Sequence, residues 1–260
     1  MAFPILHLIE SIASEFPASD RNLTLYFPDL DTPAPEGSLN RVFGPPVGVT
    51  EMEWPLYPRL GELLAEANAL DQWAPGDLRM EHVFTIDLRG IRLLGAPEGA
   101  RAMLLFLSNA TLHRATHRGN MDSAVLFLDE DEAARGLYPG PLPDRSLRRW
   151  SRRFALRRID VPGDVFDPHE DEDSPLARLH DAIWQAPARL GGVPIWVREP
   201  EMEPARATHP SRPLVRQPVG LPAPDTFVMQ FERRFADVNL GRHGVMYVSG
   251  RDAYAQSYDS

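Results

Sequence analysis

The stretch Leu190-Gly-Gly-Val-Pro-Ile-Trp-Val197 decides the fold, together with two apolar segments that follow it, Phe227-Val-Met-Gln-Phe231 and Gly244-Val-Met-Tyr-Val-Ser249. Glycine adopts backbone angles that other residues avoid, and proline restricts the chain around it, so the start of this series predicts a tight turn that leads into a strand. The two later segments have the length and apolar character of buried strands.

The motif residues of this turn are Gly191, Gly192, Pro194 and Trp196. We interpret them as structural, because large aromatic side chains mostly serve packing. The alternative, that the ring of Trp196 contacts a ligand, stays open. The same two interpretations apply to Trp54 and Trp184.

A weaker version of the series occurs earlier in the chain, as Phe43-Gly-Pro-Pro-Val-Gly48, His82–Leu88 and Ala102–Ser108. Because the order is the same, we predict an internal duplication and an α+β fold, with two related, mostly antiparallel sheet units packed together and flanked by helices. A proline-rich stretch at 139–143 suggests the boundary. The units are then 1–138 and 139–260, and we expect them to form one body.

The composition excludes several classes of function. The 260 residues carry a formal net charge of −10, which repels nucleic acid and anionic lipid and attracts a basic protein. Cysteine is absent, and all 27 basic residues are arginine, so cysteine nucleophiles, thiolate zinc sites and catalytic lysines are excluded. The chain shows neither a secretory signal pattern nor an apolar run of membrane-spanning length, and we expect a cytoplasmic protein with no membrane partner.

Charged blocks lie in the second half of the chain. Seven arginines fall between Arg145 and Arg158, where the spacing of apolar residues predicts a short amphipathic helix with a solvated basic face. Just beyond them, Ser174-Pro175 predicts the start of a helix, with serine as the N-cap and proline at the first helical position. Between the two lies an acidic loop, which we expect to be exposed and to bind a partner: Asp167, Glu170, Asp171, Glu172 and Asp173. The alternative is that this loop only neutralises the arginines or keeps the protein in solution.

The stretches Arg158–Phe166, Ala188–Trp196, Met229–Phe231 and Gly244–Val248 resemble the YwqG-like family of bacterial proteins, and the resemblance runs from about residue 40 to the end. It implies an α+β fold with duplicated, mostly antiparallel sheets and carries no catalytic residues. Some members lie beside toxin genes of interbacterial competition systems, which implies an immunity role. A late Trp-Gly-Asp-x-Gly segment of the family is replaced here by Asn239-Leu-Gly-Arg-His-Gly244.

No residue pattern predicts catalysis, a cofactor or a metal. His113 and His117 have the spacing of two metal ligands on a helix, and His82 or Asp87 would be needed as a third. Because two spaced histidines are a weak signal, we expect no bound metal. Glycine-rich phosphate loops and nucleophile elbows are absent from the sequence, so we do not expect an enzyme.

Two functions are compatible with this pattern. The first is a protein-binding module, in the specific case an immunity protein that neutralises a basic toxin or effector protein. The second is an enzyme or small-molecule-binding protein that uses a groove between the two sheet units, because pockets often form between domains.

Overall fold

The computed structural model describes residues 4–56, 79–107, 123–143, 151–167, 171–195, 227–238, 240, 244–250 and 253–256. Within these ranges the chain is an α+β fold in which a six-stranded and a five-stranded antiparallel sheet pack together, which confirms the predicted fold class. The helices are α1 (Pro4–Ala13), α2 (Glu130–Ala134), α3 (Pro175–Trp184) and α4 (Arg233–Ala236), with a short 3-10 helix at Gly163–Phe166.

The strands of the first half of the chain are β1 (Leu23–Asp29), β2 (Arg41–Val42), β3 (Glu81–Asp87), β4 (Ala102–Leu107) and β5 (Ser123–Leu128). Those of the second half are β6 (Arg152–Arg153), β7 (Ala155–Val161), β8 (Ala188–Leu190), β9 (Phe227–Glu232), β10 (Val245–Ser249) and β11 (Ala253–Gln256). The apolar runs at 82–88 and 102–107 therefore form paired strands, as predicted, and β5 pairs with the second of them.

The first four strands of each sheet follow one another in the reverse order of the chain. The five-stranded sheet runs β5-β4-β3-β2-β6, and the six-stranded sheet runs β11-β10-β9-β8-β1-β7. In the first, Arg41 of β2 lies opposite Thr85 of β3; in the second, Arg189 of β8 lies opposite Gln230 of β9. The predicted repeats thus occupy corresponding strands, while the duplication itself stays a prediction.

Strands cross the predicted boundary at residue 138 in both directions. Strand β1 pairs along its whole length with β7 and joins β8, so it belongs to the sheet built mostly from the second half. Strand β6 pairs with β2, in the sheet built mostly from the first half. The boundary stays a prediction, and each sheet contains one strand from the other side of it.

Apolar side chains fill the space between the sheets. Phe84 of β3 and Phe231 of β9 meet edge to face, with ring centroids 5.4 Å apart. Phe235 of α4 contacts both rings and also that of Phe154, at centroid distances of 5.8, 5.9 and 5.5 Å. Edge-to-face pairs add to the burial energy of aromatic rings. The described part of the interface is therefore packed core rather than an open groove.

Each sheet also has a covered outer face. Helices α1 and α3 place one apolar stripe each on β1 and β7, with Ile9 and Leu179 completely buried. On the five-stranded sheet, the ring of Trp54 packs on Phe106 and that of Tyr138 packs on Trp54, both from loops rather than helices. The Trp54 indole N–H donates to the carbonyl oxygen of Met80 at 2.8 Å, so this ring is core, as expected.

The helix predicted within 145–158 is wrong for residues 152–158, where the chain forms β6 and the first half of β7. The run Arg158-Ile-Asp-Val161 alternates between exposed and buried side chains, the period of a strand, and β1 supplies a pairing partner over seven residues. Gly191 and Gly192 both have positive φ and directly follow strand β8. Within the described ranges, no helix has the length and apolar character to cross a membrane.

Candidate partner-binding site

The acidic loop begins where β7 ends. Pro162 lacks an N–H and cannot continue the ladder, and the chain turns into the 3-10 helix Gly163–Phe166. Val165 is fully buried beneath α1 and α3, whereas Asp167 is exposed. The loop therefore starts from a fixed point.

The far end of the loop is fixed by the start of α3. The Ser174 hydroxyl oxygen accepts a hydrogen bond from the Ala177 N–H at 3.1 Å, and Pro175 occupies the first turn, as the sequence predicted. Just before it, the Asp171 carboxylate accepts from the Asp173 N–H at 3.0 Å. This local bond gives the loop a defined turn of its own.

The structure places the predicted carboxylates on the surface. Asp167, Asp171, Glu172 and Asp173 are all exposed, and Glu170 lies outside the described residues. In the part of the chain that the structure describes, none of the four is in an ion pair. They form a set of solvated negative charges between two anchored ends.

The basic residues beyond residue 150 make other contacts. Arg157 donates to Asp29 at 2.6 Å and to Glu10 at 3.0 Å, and Arg158 pairs with Asp160 at 3.2 Å. Burial alone would raise the pKa of Asp29, but hydrogen bonds from Thr32 and Arg157 outweigh it and hold that pKa below its usual value. Mutual neutralisation of the two blocks is therefore not seen among these residues.

The motif turn packs against Phe166, the residue that precedes the acidic loop. Gly191 and Gly192 have φ angles of +82° and +71°, and a Cβ on Gly192 would lie 2.8 Å from the ring of Phe166. Phe166 is the last residue of the 3-10 helix and directly precedes Asp167. The second glycine is needed because the ring that anchors the loop occupies the space of its side chain.

Arg189, a residue that the sequence analysis passed over, organises this turn. Its guanidinium is buried and donates to the carbonyl oxygens of Gly191 and Val193, and to the side-chain oxygen of Gln230 at 2.9 Å. Gln230 also accepts from the Ile195 N–H at 3.0 Å. Burial lowers the pKa of Arg189 to about 9. The signal available in the sequence was an arginine two residues before the paired glycines.

Aromatic rings flank the same guanidinium. Its carbon lies 4.9 Å from the ring centroid of Phe166 and 5.3 Å from that of Phe227. Tyr247 donates its hydroxyl to the carbonyl oxygen of Ile195 at 2.9 Å. Trp196 lies outside the described residues, so its role stays a prediction, whereas Trp184 packs against the cluster of Phe227 and Tyr247.

A buried polar row lies on the outer face of the five-stranded sheet and contains two residues considered as metal ligands. The ring nitrogens of His82 lie 3.0 Å from the Gly44 carbonyl oxygen and 2.9 Å from the Thr85 hydroxyl. Asp87 accepts from the Arg101 guanidinium and the Leu39 N–H.

The side chains of His82 and Asp87 are thus both hydrogen-bonded to other groups of the protein. Burial is the main cause that lowers the pKa of His82, to about 4, so the ring is neutral at pH 7. Among the residues described, no three His, Asp or Glu side chains are grouped to hold a metal ion. His113 and His117 lie outside the described residues.

No protein-family model matches this chain, and no curated protein matches it either. The resemblance to the YwqG-like family therefore stays a prediction.

Proposed function

We propose that this protein is a protein-binding module whose acidic loop, from Asp167 to Asp173, docks a basic surface of a partner protein. The observation that carries the proposal is the set of four exposed carboxylates that make no ion pair with any described residue and lie between the buried Val165 and the capped start of α3. Charges held in fixed positions attract an oppositely charged partner over a distance of about 10 Å at moderate salt.

The specific form of the proposal is an immunity protein. Toxin domains that act on nucleic acid carry basic surfaces because they must bind phosphate groups. An acidic loop of this kind would cover such a surface, and the net charge of −10 of the whole chain would increase the rate of encounter. Nucleic acid itself is repelled by the same field.

The probe in the experiment is the basic toxin domain that the proposal takes as the partner. In the test variant all five loop carboxylates become amides: D167N, E170Q, D171N, E172Q and D173N. The asparagine at 171 retains an oxygen that can accept from the Asp173 N–H, so the turn is preserved. The expected result is slower association, a flatter salt dependence and unchanged thermal unfolding.

The matched control removes five exposed carboxylates elsewhere: D20N, E36Q, E51Q, E98Q and D131N. It changes the net charge by the same amount but leaves the loop intact. If the control slows association as much as the loop variant does, only the overall charge matters and the loop is not the docking surface. Unchanged association of the loop variant at low salt would contradict the proposal directly.

The groove between the sheet units, which was the alternative site, has no observation in its favour among the described residues. Phe84, Phe231 and Phe235 fill that region with packed rings. We therefore put forward no second function.

A further inference from the structure

Strand β7 lies at one edge of the six-stranded sheet, and in the described part of the chain its outer side has no neighbouring strand. Strand β1 pairs with it over seven residues, from Ala155 to Val161, and the sheet ends there. The other edge strands differ from it. Strand β6 has only two residues, and β5 and β11 approach each other, since the Ala253 N–H donates to the Ser123 hydroxyl at 3.2 Å. Strand β7 is therefore a long edge to which another strand can be added.

The outer side of β7 presents the backbone groups of alternate residues. In an antiparallel pair, opposite residues alternate between those that exchange two hydrogen bonds and those that exchange none. Pro28 of β1 lacks an N–H and lies opposite Leu156, so this pair is of the second kind. The N–H and C=O groups of Leu156, Arg158 and Asp160 therefore point away from β1, and among the described residues they have no hydrogen-bond partner.

Two opposite charges occupy neighbouring outward positions of this edge. Arg158 and Asp160 lie on the same face of β7, with side chains 64% and 46% exposed, and pair with each other at 3.2 Å. An exposed ion pair contributes little, so exchanging it for a pair between two chains costs little. Charged side chains at an edge usually oppose the addition of a strand. Opposite charges two residues apart instead attract an antiparallel copy of the same strand.

We infer that β7 pairs antiparallel with β7 of a second copy of this chain, about a two-fold axis at Ile159. This register places Arg158 opposite Asp160 of the second copy, and the reverse, and both of these pairs can exchange backbone hydrogen bonds. Leu156 then lies opposite Pro162, so apolar side chains also meet. An axis at Arg158 or at Asp160 would place like charges opposite each other, and the charges therefore select the register.

The net charge of −10 opposes the approach of two copies at long range. Salt screens this repulsion beyond about 8 Å at physiological ionic strength, whereas the charges at the shared edge would be in contact. A single pair of strands makes a small interface, so we expect a weak dimer and a single chain in dilute solution. The inference goes beyond the proposed protein-binding function and does not depend on the acidic loop.

The test is sedimentation equilibrium of the full chain at physiological salt, at concentrations up to about 100 μM, because small interfaces associate weakly. We expect the mass to rise with concentration towards twice that of one chain. Arg158→Asp and Asp160→Arg each place like charges opposite each other at both contacts of the dimer. Each should raise the dissociation constant by about tenfold or more.

An equimolar mixture of these two variants restores opposite charges at both contacts and should form a mixed dimer as tight as that of the wild type. The double variant R158D D160R, which exchanges the two charges, should also dimerise. Arg92→Asp and Glu51→Arg change the net charge by the same amounts at exposed positions outside β7, and as controls they should leave the dimer unchanged.

Thermal unfolding of each variant checks that the fold is retained, because Asp160 also accepts from the Thr24 hydroxyl at 2.5 Å. If Asp160→Arg does not fold, Arg158→Asp and the double variant decide the question.

Three results would overturn the inference. The first is the mass of a single chain at every concentration, in which case the edge would fit a strand of another protein. The second is a dimer that the two charge reversals weaken no more than the controls do, which would place the interface elsewhere. The third is a mixture of the two reversals that associates no more tightly than either variant alone.

Discussion

The guanidinium of Arg189 lies against the ring of Phe166, with its carbon 4.9 Å from the ring centroid. Arg189 belongs to β8 and Phe166 to the 3-10 helix, so this contact joins the motif turn to the beginning of the acidic loop. A cation over an aromatic face is attractive, and more so when it is desolvated. The geometry of the motif and the position of the acidic loop are thus physically linked.

Replacing Arg189 by methionine tests that link. The substitution removes the guanidinium donor from two carbonyl oxygens and leaves Gln230 with only the Ile195 N–H, and we expect a loss of about 2 kcal/mol in the free energy of unfolding. Urea unfolding followed by circular dichroism measures it. Arg158→Met, at an exposed position, is the control and should change little. A more stable Arg189→Met protein would show that the cost of burying the charge exceeds the value of its hydrogen bonds.

Gly192→Ala should destabilise the protein more than Gly90→Ala does. Both glycines have positive φ, near +71° and +73°, so both substitutions carry the same backbone strain of about 1 kcal/mol. A Cβ at 192 would also lie 2.8 Å from the Phe166 ring, whereas nothing lies within 4 Å of one at 90. We expect about 1–3 kcal/mol more from this crowding. Equal melting temperatures for the two variants would contradict the described contact.

His82 should make the free energy of unfolding decrease as the pH falls below 6.5. Its folded pKa is about 4, against an ordinary value of 6.5, so the unfolded chain binds more protons between these two pH values. The contribution is fully present above pH 6.5 and is lost as the pH falls towards 4, by roughly 3 kcal/mol at most. Comparing the unfolding free energies of wild type and His82→Gln across this window isolates it. A difference that does not change with pH would show that His82 does not titrate there.

The N-cap residue of α3, Ser174, should contribute to the stability of the protein. Ser174→Ala removes the hydroxyl that accepts from the Ala177 N–H, and caps of this kind contribute about 1 kcal/mol. Ser174→Asp should retain the stability, because aspartate also caps helices. Thermal unfolding of the three proteins checks the order. If alanine and aspartate behave alike, the cap does not contribute.

The strands and helices with regular patterns could be predicted from the sequence. Apolar runs identified β3, β4, β9 and β10, and the Ser174-Pro175 signal identified the start of α3. Residues 152–158 were misread because the helix was predicted from the spacing of a few apolar residues among the arginines, and so short a pattern does not exclude a strand. Only the pairing with β1, which is distant in the chain, decides between the two.

The candidate sites were predicted only in part. Exposure of an acidic loop follows from its composition, because carboxylates are rarely buried without partners. The buried guanidinium of Arg189 and the polar row around His82 were missed, since a buried polar residue is recognised only when its partners are known. Gln230 is 41 residues from Arg189, and local patterns do not show such a distance.

The crossing of β1 into the sheet of the second half has a consequence for synthesis on the ribosome. Thr24 of β1 pairs with Asp160 of β7, 136 residues later in the chain. A nascent polypeptide must therefore carry β1 without its partners while more than half of the protein is still being translated. Such a strand has unpaired backbone groups that favour aggregation, and its late closure slows folding. Chaperone binding to the emerging amino-terminal region is the expected result in the cell.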